Sequence, residues 1–261
     1  MGKLTSIRMQ IGSSLGDFLQ FRFQPSIDLL VVLVSSLVLD ICFYVTWQIV
    51  TRANATVFFI LCGPVSFFAA GIAVPIAYNS LVKKRPLSEM GISKKHWKKS
   101  LVLSAIVCPL PFFRPHTTIA WPTFTQLLPL ILFEVASALF FVIFFQCWVQ
   151  MRFEKAFGAI PAIIITGALF SLHHISYSGY RAYIPQMWTL FFNGMVSAIV
   201  FRLARNMLIS WPFFMSAAGL ANELTWGFRL PFEYTYGFTG VVALMLLFIA
   251  IVHWRQKKRG A

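Results

Sequence analysis

Long apolar stretches separated by short polar loops cover most of the chain. A bilayer core about 30 Å thick is crossed by about 20 helical residues. The stretch at 100–113 is short, and Pro109 and Pro111 disrupt its end, so we expect a half-span or a kinked helix there. The pattern predicts an all-α, polytopic membrane helical bundle with about eight transmembrane spans, at residues 27–50, 56–81, 100–113, 124–150, 159–175, 187–203, 207–226 and 237–254.

The composition agrees with a membrane protein. The chain is 58% hydrophobic and only 11% charged, whereas a soluble domain has about 25% charged residues. We find no repeat or linker, so residues 27–254 are predicted to form a single transmembrane domain. Residues 1–26 mix charged side chains with Leu and Phe, which is typical of an interfacial segment, and residues 255–261 form a basic tail.

The basic residues indicate the orientation of the spans. With eight spans, eighteen of the 22 Lys and Arg fall on the side of both termini and four fall on the other side. Cytoplasmic loops carry the excess of Lys and Arg. We therefore expect cytoplasmic N- and C-termini in a multi-pass protein of the cell membrane.

The net charge of +14 follows from the same short loops. These loops contain no base-stacking module, so nucleic acid is not an expected partner, and anionic lipid head groups are. The four cysteines lie in different apolar stretches without a Cys/His cluster, so we predict neither disulfides nor a metal site, and no cofactor.

Ionisable residues inside a bilayer are costly, and each is a functional hypothesis by default. Asp40 lies near the middle of the first span. It is either part of a proton or ion relay, or an acid that is protonated or hydrogen-bonded to a neighbouring helix, and we favour the second interpretation. Asp28 lies at the start of the same span and is expected to be interfacial. The other candidates are Glu134, His173, His174 and Glu223.

The spans at 124–150 and 159–175 are joined by a short charged turn, which predicts an antiparallel hairpin. Glu134 lies early in the first helix of this hairpin, and His173 and His174 lie at the end of the second. The hairpin therefore predicts that an acid approaches a base. Adjacent residues of a helix point about 100° apart, so the two histidines are not expected to bind one metal together.

The second helix closes with Phe170-Ser171-Leu172-His173-His174, in which Phe170 and His174 fit the pattern FxxxH. Together with the preceding turn and the later segments 192–202 and 210–212, this helix resembles the CPBP family. That family contains type II CAAX prenyl proteases, bacteriocin-processing enzymes and lysostaphin-resistance-type membrane proteins. The resemblance covers about residues 85–225 and implies a membrane-embedded peptidase fold with His174 as the best site residue.

The family pattern also contains EExxxR before FxxxH and HxxxN after it. At the matching positions this chain has Phe141 and Val142 instead of the glutamates, and Gln146 instead of the arginine. Ser216 and Leu220 replace the later His and Asn. In the family, a glutamate activates water while His and Asn stabilise the oxyanion, and both functions need polar groups in reach of the reaction.

Two functions from different classes remain. The favoured one is a degenerate member that acts as a binding or scaffold protein for another membrane protein or a peptide. The alternative is an atypical intramembrane endopeptidase acting on a membrane-proximal or lipidated peptide, with Glu134 as base and His174 as electrostatic partner. Asn222 and Glu223 could supply missing polar groups for the enzyme, or could simply form a polar span end. A transporter is the third and least favoured function.

Overall fold

The computed structural model describes residues 19–50, 54–93, 95, 97–107, 109, 123–211, 219–221, 224 and 237–259, and this part of the chain is helical without strands. We number the helices in chain order. They are α1 (Ile27–Ile49), α2 (Ala55–Val82), α3 (Trp97–Val107), α4 (Phe124–Phe141, continued through the π-helical Val142–Gln150 and Met151–Phe157), α5 (Ala159–Ser178), α6 (Tyr180–Ala204), α7 (Met207–Ser210) and α8 (Phe238–Lys258); a 3₁₀ turn, Leu87–Met90, lies between α2 and α3.

Six of these helices, α1, α2, α4, α5, α6 and α8, are long and apolar enough to cross a membrane within the described residues. They coincide with six of the eight predicted spans, so the helical, multi-pass character is confirmed. Of the third predicted span, the described residues contain the 11-residue α3, which is about 16 Å long at 1.5 Å per residue, while residues 108 and 110–113 lie outside them. Most of the seventh predicted span lies outside the described residues.

The centre of the bundle is α4, and its π-helical segment Val142–Gln150 is buried along its whole length. Apolar side chains occupy most of this segment, and its two glutamines bond to α6. The Gln146 amide lies 2.7 Å from the Ser197 hydroxyl, and Gln150 Nε2 donates to the Ala198 carbonyl at 2.8 Å. Two buried amides thus hold α6 against the central helix.

Helices α4 and α5 form the predicted antiparallel hairpin. Gly158 separates them with a φ of +93°, which a glycine adopts without strain. Part of the predicted interfacial segment, residues 19–26, lies against this turn. Arg22 N donates to the Phe157 carbonyl at 3.1 Å and Gln24 N to the Ala156 carbonyl at 2.9 Å. Residues 1–18 of that segment lie outside the described residues.

Helices α5 and α6 approach each other through small residues. A Cβ atom on Gly194 would lie 3.0 Å from the Gly167 Cα atom and 2.9 Å from the Phe170 ring. Ser171 and Ala198 follow these glycines by one turn, and both are buried. Small residues four positions apart let helix backbones pack closely where lipid provides no hydrophobic driving force.

We predict that Gly194→Ala destabilises the protein, since its methyl group would meet the backbone of α5. Overpacking of this kind costs about 1–3 kcal/mol. The matched control is Gly240→Ala, because a Cβ there meets nothing within 4 Å. Reversible unfolding by SDS in mixed micelles should show a lower free energy of unfolding for Gly194→Ala, and an equal or higher one for the control. Equal values for both variants would contradict the close approach of α5 and α6.

Candidate functional site

The hairpin brings the two histidines of α5 against the middle of α4. The Phe141 ring centroid lies 5.6 Å from His173 and 6.2 Å from His174, and the Phe145 ring lies 5.5 Å from Phe170. This register pairs the end of α5 with residues 141–145 of α4. The positions that the family resemblance assigns to the first two motifs therefore do face each other.

His174, the residue that fits FxxxH, lies in an aromatic environment. Its Nδ1 is 2.8 Å from the Phe170 carbonyl, one turn earlier on the same helix. The rings of Phe170 and Tyr177 lie 4.8 Å and 5.0 Å from the imidazole, and Phe141 stacks on it. One ring nitrogen is thus bonded to the helix backbone and three aromatic rings cover the imidazole.

The places expected for the paired glutamates hold apolar side chains that fit the interior. Phe141 contacts both histidines, and Val142 is fully buried. Gln146, at the arginine position, is occupied by its bond to Ser197. At the two positions where the resemblance predicts glutamates, the chain therefore has an aromatic ring and a branched aliphatic side chain.

Glu134 lies seven residues before Phe141 on α4, which is about 10 Å along the helix axis. Its side chain is only 6% exposed, and its carboxylate lies directly against Gly219, where an added Cβ would collide with it. The acid is thus buried in the bundle and faces the segment that follows α7. Its proposed role as a base beside His174 stays a prediction.

The other two candidate residues of the sequence analysis, Asn222 and Glu223, lie outside the described residues, as does Ser216. Their neighbours Gly219, Leu220, Ala221 and Leu224 are described. The contact between Gly219 and Glu134 brings this segment to α4.

His173 makes a hydrogen bond to an acid inside the membrane domain, a contact that the sequence analysis did not predict. Its Nδ1 lies 2.5 Å from Oδ1 of Asp40 on α1, and the histidine is 1% exposed. Asp40 is thus hydrogen-bonded to a neighbouring helix, as the favoured interpretation predicts, and a relay role for it stays a prediction. Phe43 of α1, at 4.6 Å, and three rings of α4 line the imidazole. His173 Nε2 has no partner among the described residues.

Asp28 was expected to be a simple interfacial residue, but the structure makes it the centre of a charged cluster. It accepts from Tyr78 at 2.8 Å, and Lys83 and Arg85 each lie 2.9 Å from it. The buried Arg152 of α4 is 3.8 Å away. The Asp28 carboxylate raises the pKa of Lys83, because it stabilises the charged ammonium.

A signal for this cluster exists in the sequence. Asp28 opens the first span, and the basic residues 83–85 follow the second. Because consecutive spans run antiparallel, the start of one and the end of the next lie at the same membrane surface. The opposite charges were thus predictably close.

No protein-family model, curated protein or solved structure matches this chain. The resemblance to the CPBP family therefore stays a prediction, and the geometry of the site carries the functional argument.

We predict that Asp40 and His173 are energetically coupled. Asp40→Asn and His173→Gln should each lower the free energy of unfolding. The double variant should lower it by less than the sum of the two single-variant decreases. Groups in direct contact show coupling energies of about 0.5–3 kcal/mol in double-mutant cycles. The free energy of unfolding in mixed micelles measures this coupling.

The control cycle pairs Asp40→Asn with His174→Gln, since His174 Nδ1 bonds to its own helix. In this control cycle, the decrease in the free energy of unfolding of the double variant should be close to the sum of the two single-variant decreases. Additivity in both cycles would show that the Asp40–His173 contact contributes nothing to the fold.

Proposed function

We propose that this chain is a non-catalytic, CPBP-like protein of the cell membrane that binds another membrane protein or a peptide as a scaffold. One observation carries the proposal: the Phe141 ring stacks on His174 at the position where the family resemblance expects a glutamate. The framework of the hairpin is present, while the group that would activate water is replaced by an aromatic ring.

The chemistry of peptide hydrolysis explains why this replacement matters. A general base must lie within about 2.6–3.2 Å of the water that it deprotonates, or reach it through one further water. A phenyl ring has no acceptor for such a proton. The rings of Phe141, Phe170 and Tyr177 also cover the imidazole of His174, and they support a packing role for it.

The neighbouring histidine, His173, also has a structural role. His173 is paired with Asp40 and therefore links α5 to α1 across the bundle. Gln146, at the position of the family arginine, links α4 to α6 through Ser197. The polar groups of the interior thus hold helices together, which is what a binding protein requires of a stable core.

The outer face of α6 is the best surface for a partner helix. Trp188, Phe192 and Val196 follow one another at intervals of four residues and therefore share a face. Trp188 is 64% and Phe192 57% exposed. Aromatic side chains offer large contact areas, and α6 is less buried than the other described span-length helices.

A catalytic alternative rests on Glu134, an acid buried in the membrane domain. In that case the carboxyl of Glu134 would share a water with His174, with Asn222 and Glu223 supplying further polar groups. The protein would then hydrolyse a membrane-proximal or lipidated peptide. The next experiment separates this enzyme from the scaffold.

We predict that the double variant Glu134→Gln, His174→Gln retains full function. Both substitutions remove acid–base chemistry while approximately preserving side-chain size. In cells that lack the native gene, the variant should restore the wild-type phenotype at the same protein level in the membrane. Purified wild-type protein in proteoliposomes should cleave a farnesylated peptide no faster than the variant does. Failed complementation by a stable, membrane-inserted variant, with cleavage by the wild type alone, would establish the enzyme instead.

A photo-cross-linking residue at Phe192 tests the scaffold role directly. We expect benzoylphenylalanine at this position to capture one discrete membrane protein in intact cells. The control is the same residue at Leu37, which is 61% exposed on α1 and should give only lipid adducts. Lipid adducts alone at both positions would argue against a partner on α6.

A further inference from the structure

The C-terminal end of α8 is hydrogen-bonded to the loop that follows α2. Gln256 Nε2 donates to the Arg85 carbonyl at 2.9 Å, and Leu87 N donates to Gln256 Oε1 at 3.1 Å. Both bonds use the same side-chain amide. They hold two distant segments of the chain at the same level of the bundle.

Each of these segments carries a basic run. The loop contributes residues 83–85, and the end of α8 contributes Arg255, Lys257, Lys258 and Arg259, all four exposed. Asp28 is bound to Lys83 and Arg85 and compensates one charge. Segments 83–87 and 254–259 contain no acidic residue. The surface formed by these two segments is therefore strongly positive.

The lipid-side face of α8 leads directly into this surface. Leu247, Ile251, Trp254 and Lys258 recur every three or four residues and thus lie on one face of the helix. The first three are 58%, 40% and 55% exposed. The Lys258 ammonium lies 3.9 Å from the centroid of the Trp254 ring. Gln256 falls on the opposite face, which agrees with its bonds to the loop.

This order of side chains matches the order of groups in a phospholipid. Leu247 and Ile251 provide an apolar track, Trp254 has the amphipathic ring typical of the membrane–water interface, and Lys258 provides a cation beyond it. We propose that the end of α8, together with the loop at 83–87, is a binding site for one anionic phospholipid. Its acyl chains lie along Leu247 and Ile251 and its head group contacts Lys258 and the neighbouring cations.

The continuous apolar track is the reason to choose a lipid over a free anion. A soluble phosphate would use the cations alone and gain nothing from Leu247 or Ile251. A lipid also explains the role of Gln256, because its two bonds fix the rotation of the last turn of α8. That rotation keeps Trp254 and Lys258 on the lipid side. The site does not depend on the scaffold function proposed above.

The test uses the full-length protein, purified in mild detergent and titrated with phosphatidylserine or phosphatidylcholine. Native mass spectrometry then counts the bound lipids. The wild type should bind phosphatidylserine more tightly than phosphatidylcholine. Lys258→Gln should weaken binding of phosphatidylserine roughly fivefold, since one basic residue near an anionic lipid contributes about 1 kcal/mol.

Two further variants separate a defined site from simple charge. Gln256→Leu changes no charge, but it should weaken phosphatidylserine binding several-fold because the last turn of α8 loses its anchor. Lys155→Gln removes the same charge as Lys258→Gln from a lysine that is paired with Glu89 at 3.1 Å, and it should leave binding unchanged. The melting temperature confirms that each variant is folded.

Equal weakening by Lys155→Gln and Lys258→Gln would overturn the proposal, because net charge alone would then explain binding. Wild-type affinity in folded Lys258→Gln or Gln256→Leu would also overturn it. Displacement of phosphatidylserine by millimolar inorganic phosphate would indicate a site for a free anion rather than for a lipid.

Discussion

A bilayer core provides no water to a buried polar group, so each polar side chain between the helices needs a partner within the protein. This constraint organises the interior of the bundle. Gln146 and Gln150 of α4 bond to α6, and His173 of α5 bonds to Asp40 of α1. Ser171 of α5 bonds to the Met187 carbonyl at 2.9 Å. The few polar residues of the spans thus specify which helices are neighbours, while the apolar residues fill the space between them.

The same constraint gives a physical account of the histidine pair. Two adjacent imidazoles in a membrane interior each need a hydrogen-bond partner in place of water, and the two rings have different partners. His173 is buried and paired with a carboxylate, whereas His174 bonds to a backbone carbonyl and packs among aromatic rings. Phe141 packs against both of them. A site of this kind stabilises the contact between α4, α5 and α1.

Charged residues are concentrated at one end of the bundle, where ion pairs replace hydrophobic contacts. Asp28 joins α1 to the loop after α2 and to Arg152 of α4. Glu154 of α4 pairs with Arg202 and Arg205 at the end of α6, and Gln256 ties α8 to the same region. The acidic residues that the structure describes at this end are therefore bound by cations. The remaining Lys and Arg at the end of α8 form a positive surface at the level where anionic head groups would lie.

The sequence by itself determined the helical, membrane-spanning character, because apolar stretches of about 20 residues have few other stable structures. It also predicted the α4–α5 hairpin and eight spans, of which six are helices of spanning length within the described residues. It placed Asp40 and His173 in the membrane interior, but 133 residues separate them, and only the packing of α1 against α5 pairs them. The register of α4 against α5 likewise decided that Phe141 faces His174 and that Glu134 faces Gly219. Local patterns fix which residues lie in a helix, whereas the rotation and axial shift of packed helices depend on contacts between distant segments.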